Sequence, residues 1–157
     1  MKKCIFFILI LCSSFLCYSQ SKTLAKFRIT EATDDGQDVT EWYYNRGQQI
    51  VFYLCDDGSL CLSNFSEREN EQSYGGLTSL GKVETLPETR TTFKIDVFKF
   101  RWNYFNTYDS KRGWATVSMY KIYKPQGVVF NMKVALSNLN IMKYKGYMEG
   151  SIDFSQY

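Results

Sequence analysis

Alternation is the feature that most constrains this chain. In "FKFRWNYFN", Phe98 to Asn106, an aromatic ring stands at every second position, with Lys99, Arg101 and Asn103 between. An extended strand sends successive side chains to opposite faces, so this spacing predicts a strand with one ring-lined face and one polar face. The period recurs along the chain. "LAKFRITEA" sets Phe27 and Ile29 against Lys26 and Arg28, and "VVFNMKVAL" puts Val128, Phe130, Met132, Val134 and Leu136 on one face. In "IMKYKGYMEGSIDF", Met142, Tyr144, Gly146, Met148, Gly150, Ile152 and Phe154 alternate with Lys143, Lys145, Tyr147, Glu149 and Asp153. "DVTEWYY", "QQIVFYLC", "LCLSN" and "WATVSMYKIY" read as further strands. "QSYGGLTSLGKVETL" is ambiguous, because Gly75 and Gly76 weaken a long strand and Pro87 closes it. No stretch carries a helical period; at most a turn or short helix fits within 64 to 80.

Strands of this number and spacing, joined by hairpin-type turns such as "DDGQ", "YDSKRG" and "KPQG", predict an all-β fold. The expected architecture is a single antiparallel up-and-down barrel of about 8 strands, with a β-sandwich as the alternative. Two features favour closure. Gly146 and Gly150 fall on the inward face, where they permit tight curvature. Within Thr91 to Asn106 the apolar phase changes, from the odd-numbered Phe93, Ile95 and Val97 to the even-numbered Phe98, Phe100, Trp102 and Tyr104. That switch predicts a β-bulge near Val97 and Phe98.

The first residues, "MKKCIFFILILCSSFLCYSQ", read as a secretory signal peptide. Lys2 and Lys3 form a basic n-region, Ile5 to Leu11 an apolar h-region, and Cys17 and Ser19 are the small residues for cleavage before Gln20. The domains are therefore a signal peptide over 1–19 and one β-barrel domain over 20–157, periplasmic or extracellular. The rival is a lipoprotein signal that retains an acylated Cys17, for which Leu16 is a poor preceding residue. Lys2 and Lys3 are the charged residues of 1–19, so removing them takes the formal charge from +3 to +1. The general electrostatic case for a nucleic-acid or acidic-membrane partner falls away with them. No later segment is long and apolar enough for a transmembrane helix.

Cys55 and Cys61 flank a turn in "QQIVFYLCDDGSLCLSN", in a compartment that oxidises accessible pairs. A two-residue Asp57-Gly58 loop would put Leu60 and Leu62 on the face opposite Phe52 and Leu54, so register requires an odd loop. Loop 56–58 gives Gly58 the left-handed position and sets Leu54 opposite Leu60. Loop 57–59 instead sets Cys55 opposite Cys61, within reach of a disulfide. Turn chemistry favours the first and redox context the second. The chain has no histidine, and two cysteines cannot close a zinc shell, so no metal or cofactor is expected.

"ITEATDDGQDVT", followed by "IVFYLCDDGSLCLSN", resembles the start of small secreted bacterial lipocalin-like domains. There an N-terminal strand, a turn of the Asp-Gly-x-Asp-Val-Thr kind and an Asp-Gly-Ser hairpin come in that order. The Gly-x-Trp usual on that family's first strand is absent, and "AKFRIT" stands in its place. The resemblance implies a barrel and carries over no functional residue.

A nucleic-acid surface would need rings and cations together, but on a strand Lys99 and Arg101 face away from Phe98, Phe100, Trp102 and Tyr104. The rings therefore fill a core or line a cavity. If the interior is hollow, Trp102, Tyr104, Trp114, Tyr120, Tyr144 and Met148 are the expected ligand-binding residues, and the ligand is small and apolar. No catalytic residue stands out. Asp34-Asp35 and Asp56-Asp57 read as turn residues, and Glu67, Glu69 and Glu71 as a solvated connection. An Asp96–Glu149 acid-base pair is conceivable, but no spacing selects it, and neither cysteine has a visible activating partner. The expectation is an exported, non-enzymatic β-barrel that binds a small ligand or another protein. The alternative is a lipocalin-like carrier with an aromatic-lined lumen, and a hydrolase comes third.

Overall fold

The computed structural model describes residues 22–157; the expected signal peptide, Cys17 and the expected cleavage site before Gln20 lie outside them. The strands are β1 (Lys22–Asp34), β2 (Gln37–Asp38), β3 (Gln48–Leu54), β4 (Leu60–Ser66), β5 (Glu71–Ser79), β6 (Glu84–Leu86), β7 (Ile95–Asn106), β8 (Lys111–Lys124), β9 (Gly127–Leu136) and β10 (Ile141–Gly150). A helix, α1 (Thr40–Arg46), lies between β2 and β3, and a 3-10 turn (Phe154–Gln156) follows β10. Eight of the strands pair in the order β10-β9-β8-β7-β5-β4-β3-β1, and β10 pairs back onto β1. The result is a closed antiparallel up-and-down barrel, as the alternation predicts. Among the described residues, no helix is long and apolar enough to cross a membrane.

The strand Phe98–Asn106 behaves as its period requires. Phe98, Phe100 and Trp102 are buried, whereas Lys99, Arg101 and Asn103 are exposed. Their cross-strand neighbours follow: Met119, Val117 and Ala115 of β8 stand opposite them and are also buried. The predicted bulge at Val97 and Phe98 is not there. The β7–β8 ladder runs without a shift from Ile95↔Ile122 to Asn106↔Lys111. The apolar residues change phase for a different reason. Phe93 precedes the strand, and Ile95 and Val97 lie on the outer face, where β6 pairs with them. The register shifts fall in β1 instead, at Thr23/Ala25 against β3 and at Ile29/Glu31 against β10.

The β1–β10 seam closes the barrel, and glycine is needed there. A Cβ on Gly146 would lie 1.9 Å from the Arg28 carbonyl oxygen. On the outside of the seam Arg28 pairs with Glu149 at 2.7 Å and Lys145 with Glu31 at 2.5 Å. Both pairs are exposed and contribute little.

The Cys hairpin satisfies both of its competing requirements. Leu54 stands opposite Leu60, Gly58 is left-handed at φ 78°, and the Cys55 amide donates to the Ser59 carbonyl at 2.9 Å. The loop is therefore 56–58, yet Cys55 and Cys61 are still bridged, diagonally, with Cα atoms 5.9 Å apart. Leu54, Leu60, Phe52 and Leu62 share one face, as register demands.

"DVTEWYY", read as a strand, is mostly α1. Val39 leads in, the Asp38 side chain accepts the Thr40 amide at 2.9 Å, and Gly47 ends the helix at φ 61°, its amide reaching back to the carbonyls of Tyr43 and Tyr44. Three adjacent aromatics cannot alternate, and the helix resolves them: Tyr43 is buried while Trp42 and Tyr44 are exposed. The segment 64–80, where the sequence allows a helical turn, is instead the end of β4, a turn and β5. Ile152 and Phe154 do not extend β10. Phe154 turns inward and packs its ring 5.1 Å from Phe52, 5.4 Å from Phe98 and 6.0 Å from Phe100.

Candidate functional site

The two ends of the barrel differ in chemistry. At the lower end, which carries the Cys hairpin, inward residues such as Phe52, Leu60, Leu62, Phe98 and Phe100 form one cluster with the Phe154 plug. Toward the other end the inward positions of β3, β4, β5 and β7 turn polar, while β9 and β10 stay apolar at Val134, Leu136 and Met142. On β3 Ile50 gives way to Gln48, on β4 Leu62 to Asn64 and Ser66, on β5 Leu77 to Ser73 and Glu71, and on β7 Trp102 to Tyr104 and Asn106. Gln48 donates to Asn64 at 2.5 Å across the β3–β4 pair.

Helix α1 stands at this polar end because β3 leaves β1 above Phe27↔Ile50. The β1 backbone beyond that point needs new partners, and α1 supplies them. The Val39 amide donates to the Ala32 carbonyl at 3.0 Å, the Ala32 amide to Thr40 Oγ1 at 2.9 Å, and the Tyr44 hydroxyl to the Ile29 carbonyl at 3.2 Å. Tyr43 points down into the lumen, where its hydroxyl shares a 2.9 Å hydrogen bond with that of Tyr144. Tyr144 also lies 3.2 Å from Met142 Sδ. Burial pushes both hydroxyls above their ordinary pKa, Tyr144 well above it, and the Asp34 carboxylate pushes in the same direction.

Two adjoining recesses open here and share Trp42, Tyr43 and Met142. One, of about 390 Å³, lies over the lumen and is walled by Gln48, Asn64, Ser66, Ser73, Asn106 and Tyr108. The other, of about 790 Å³, lies between the end of β1 and α1 and is walled by Asp34, Asp38, Glu41 and Tyr44. Arg46 sits between Glu69 and Glu71, 2.7 Å from the latter, with its guanidinium 4.3 Å above the Trp42 ring.

Of the six residues expected to line a lumen, four face inward. Trp102 and Tyr144 are buried, and Tyr104 and Met148 pack against the core. Trp102 and Tyr104 stack with ring centroids 4.7 Å apart, and Trp102 Nε1 is buried without a hydrogen-bond partner. Trp114 and Tyr120 face outward, a correction to the expected lining. Their β8 neighbours Ala115, Val117 and Met119 take the inward positions, and Trp114 is 40% exposed beneath the Arg101 guanidinium. The even-numbered residues of "WATVSMYKIY" are the more aromatic, but register with Trp102 assigns the lumen to the odd ones.

Two carboxylate readings also change. Asp35 is the turn residue, at φ 46° with Oδ1 accepting the Ile141 amide at 2.7 Å, but Asp34 ends β1 on the mouth side, and its Oδ1 is buried without a partner. Glu69 and Glu71 hold Arg46 and are not a purely solvated connection. Asp57 keeps its turn role, accepting from both the amide and the hydroxyl of Ser59. Asp96 and Glu149 are not brought together, since β8 and β9 separate their strands. Burial alone would raise the Asp96 carboxyl, but hydrogen bonds from Tyr123 and Thr85, helped by Lys94 and Lys121, hold it below its ordinary value. Among the described residues no group of three histidine, cysteine or acidic side chains is arranged to hold a metal ion.

No protein-family model, curated protein or solved structure matches this chain.

Proposed function

We propose that this chain is an exported, non-enzymatic binding module of lipocalin-like build, and that it takes a small ligand in the mouth beside α1. The observation that carries this reading is the split of the interior. Below Trp102 the lumen is filled by Phe27, Phe52, Phe100, Met119 and the Phe154 plug, whereas above it the inward residues of β3, β4, β5 and β7 are polar and two recesses stay open. A concave site with aromatic walls and a few polar groups is the usual form of a small-molecule site. The alternative is a carrier of an apolar ligand held lower in the lumen. It is favoured by one observation, the inward-facing pair of Trp102 and Tyr104 rings, with centroids 4.7 Å apart.

Native mass spectrometry of the protein recovered from an exporting host tests the reading, together with Ser73→Trp and Glu41→Trp, which fill the smaller and the larger recess. A bound small molecule that one of these variants loses is the expected result. Protein that carries no small molecule, and whose mouth residues stay unmoved in an NMR screen of small molecules, would contradict it.

A further inference from the structure

We infer that the ligand of this mouth is an organic cation, an ammonium group carried on a small apolar body. The inference rests on the mouth being the ligand site. It begins with the composition of the larger recess, where the rings of Trp42, Tyr43 and Tyr44 meet the carboxylates of Asp34, Asp38 and Glu41, and no lysine or arginine contributes to the wall. Rings and carboxylates together are what a cation with an apolar body requires. The ring face attracts the charge and covers the carbon, and the carboxylate receives the N–H donors or the net charge. An anion would meet three like charges here. A neutral ligand would leave the carboxylates unanswered.

Existing contacts do not already use these groups. Asp38 accepts the Thr40 amide at 2.9 Å, but Asp34 and Glu41 have no ion-pair or hydrogen-bond partner among the described residues. Asp34 Oδ1 is shielded from solvent with nothing to accept. Asp34 still lines the recess, and an ammonium group there would answer the charge of its carboxylate. Arg46, the basic residue of the adjoining recess, is held by Glu69 and Glu71 and does not neutralise Asp34 or Glu41. It also demonstrates the mode of binding, because its guanidinium already rests 4.3 Å over one face of Trp42. Trp42 nevertheless stays 50% exposed and Tyr44 57%, so large ring surfaces face the recess uncovered. The acidity is local, for residues 20–157 as a whole carry a formal charge of only +1, the full chain's +3 less Lys2 and Lys3.

Isothermal titration calorimetry with three amines and their matched neutral counterparts tests this: phenethylamine against 2-phenylethanol, choline against 3,3-dimethylbutan-1-ol, and putrescine against 1,4-butanediol. Phenylacetate supplies the anion. At least one amine is expected to bind about tenfold more tightly than its counterpart, with phenylacetate weakest, as a desolvated cation–π contact plus a carboxylate implies. Added salt should weaken that binding, and both Asp34→Asn and Glu41→Gln should reduce it. Should Asp34→Asn fail to fold, Glu41→Gln and the salt dependence still decide. Equal binding of amine and counterpart, or tighter binding of phenylacetate, overturns the cation while leaving the mouth as the site. If no compound binds, the cation inference is overturned, and the separate screen of the mouth residues decides whether the site falls with it.

Discussion

The lower and upper halves of the barrel are built from the same strands, yet they do different work. Below, Phe52, Phe98 and Phe100 close on Phe154, a residue supplied from beyond the last strand. Above, Gln48, Asn64, Ser66 and Ser73 occupy the equivalent inward positions, and the helix that stands there leaves two recesses open. An eight-stranded barrel is narrow enough for side chains to fill it. Here they fill only one end, which teaches that stability and recognition are separated along the barrel axis. Substitutions below should cost folding, and substitutions above should cost binding.

The largest effect is expected for Phe154→Ala and Trp102→Ala. Each removes a buried aromatic side chain from the lumen and should cost about 3–5 kcal/mol in a denaturant titration. If Trp102→Ala instead leaves stability nearly unchanged and abolishes ligand binding, the lumen carrier is correct and the two halves are not separate. Gly146→Ala comes next. Its Cβ would meet the Arg28 carbonyl, so about 1–3 kcal/mol should be lost as the closure seam shifts. Replacing both cysteines with serine should cost about 2 kcal/mol, the loop-closure value for so short a bridged loop, again with no effect at the mouth.

Tyr144→Phe sits at the boundary between the halves. It leaves the buried Tyr43 hydroxyl without its partner and should cost about 1–2 kcal/mol. The same pair predicts an alkaline limit. Burial raises both hydroxyls above 10.0, so the folded state favours their neutral forms. Their contribution is complete below the unfolded pKa near 10 and is lost as pH rises toward the folded values. A Tyr43→Phe, Tyr144→Phe double variant should show a smaller loss of stability above pH 10 than the parent. The smallest effect on stability is expected at the rim, where Trp42→Ala should change it by about 0.5 kcal/mol or less while weakening ligand binding.

Much of the barrel was legible because its rule is local. Alternation fixes which residues of Phe98–Asn106 face inward without reference to any other strand. It fails where the sequence offers apolar residues on both faces. Trp114 and Tyr120 belong to a strand whose two faces are both rich in apolar residues, and only pairing with Trp102 and Val97 decides between them. Phase changes mislead for a related reason, since Ile95 and Val97 are apolar residues on the outer face of β7, where its ladder to β8 runs without a shift. The mouth was the least legible part. Its helix lacks an amphipathic period, since seven residues are too few to display one, and Asp34 looks like half of a turn pair. One signal was available, the change from apolar to polar at successive inward positions toward one end of β3, β4 and β5. That gradient can be seen only once the strands are aligned in register.

The three tryptophans, Trp42, Trp102 and Trp114, report separately on the mouth, the lumen and the outer face. Their indole N–H resonances, followed by 15N NMR during titration with phenethylamine and 2-phenylethanol, test the central claim directly. Trp42 should move most with the amine, Trp102 should move little, and Trp114 should not move. A dominant shift at Trp102 would contradict that claim, because the ligand would then lie against the filled half of the barrel.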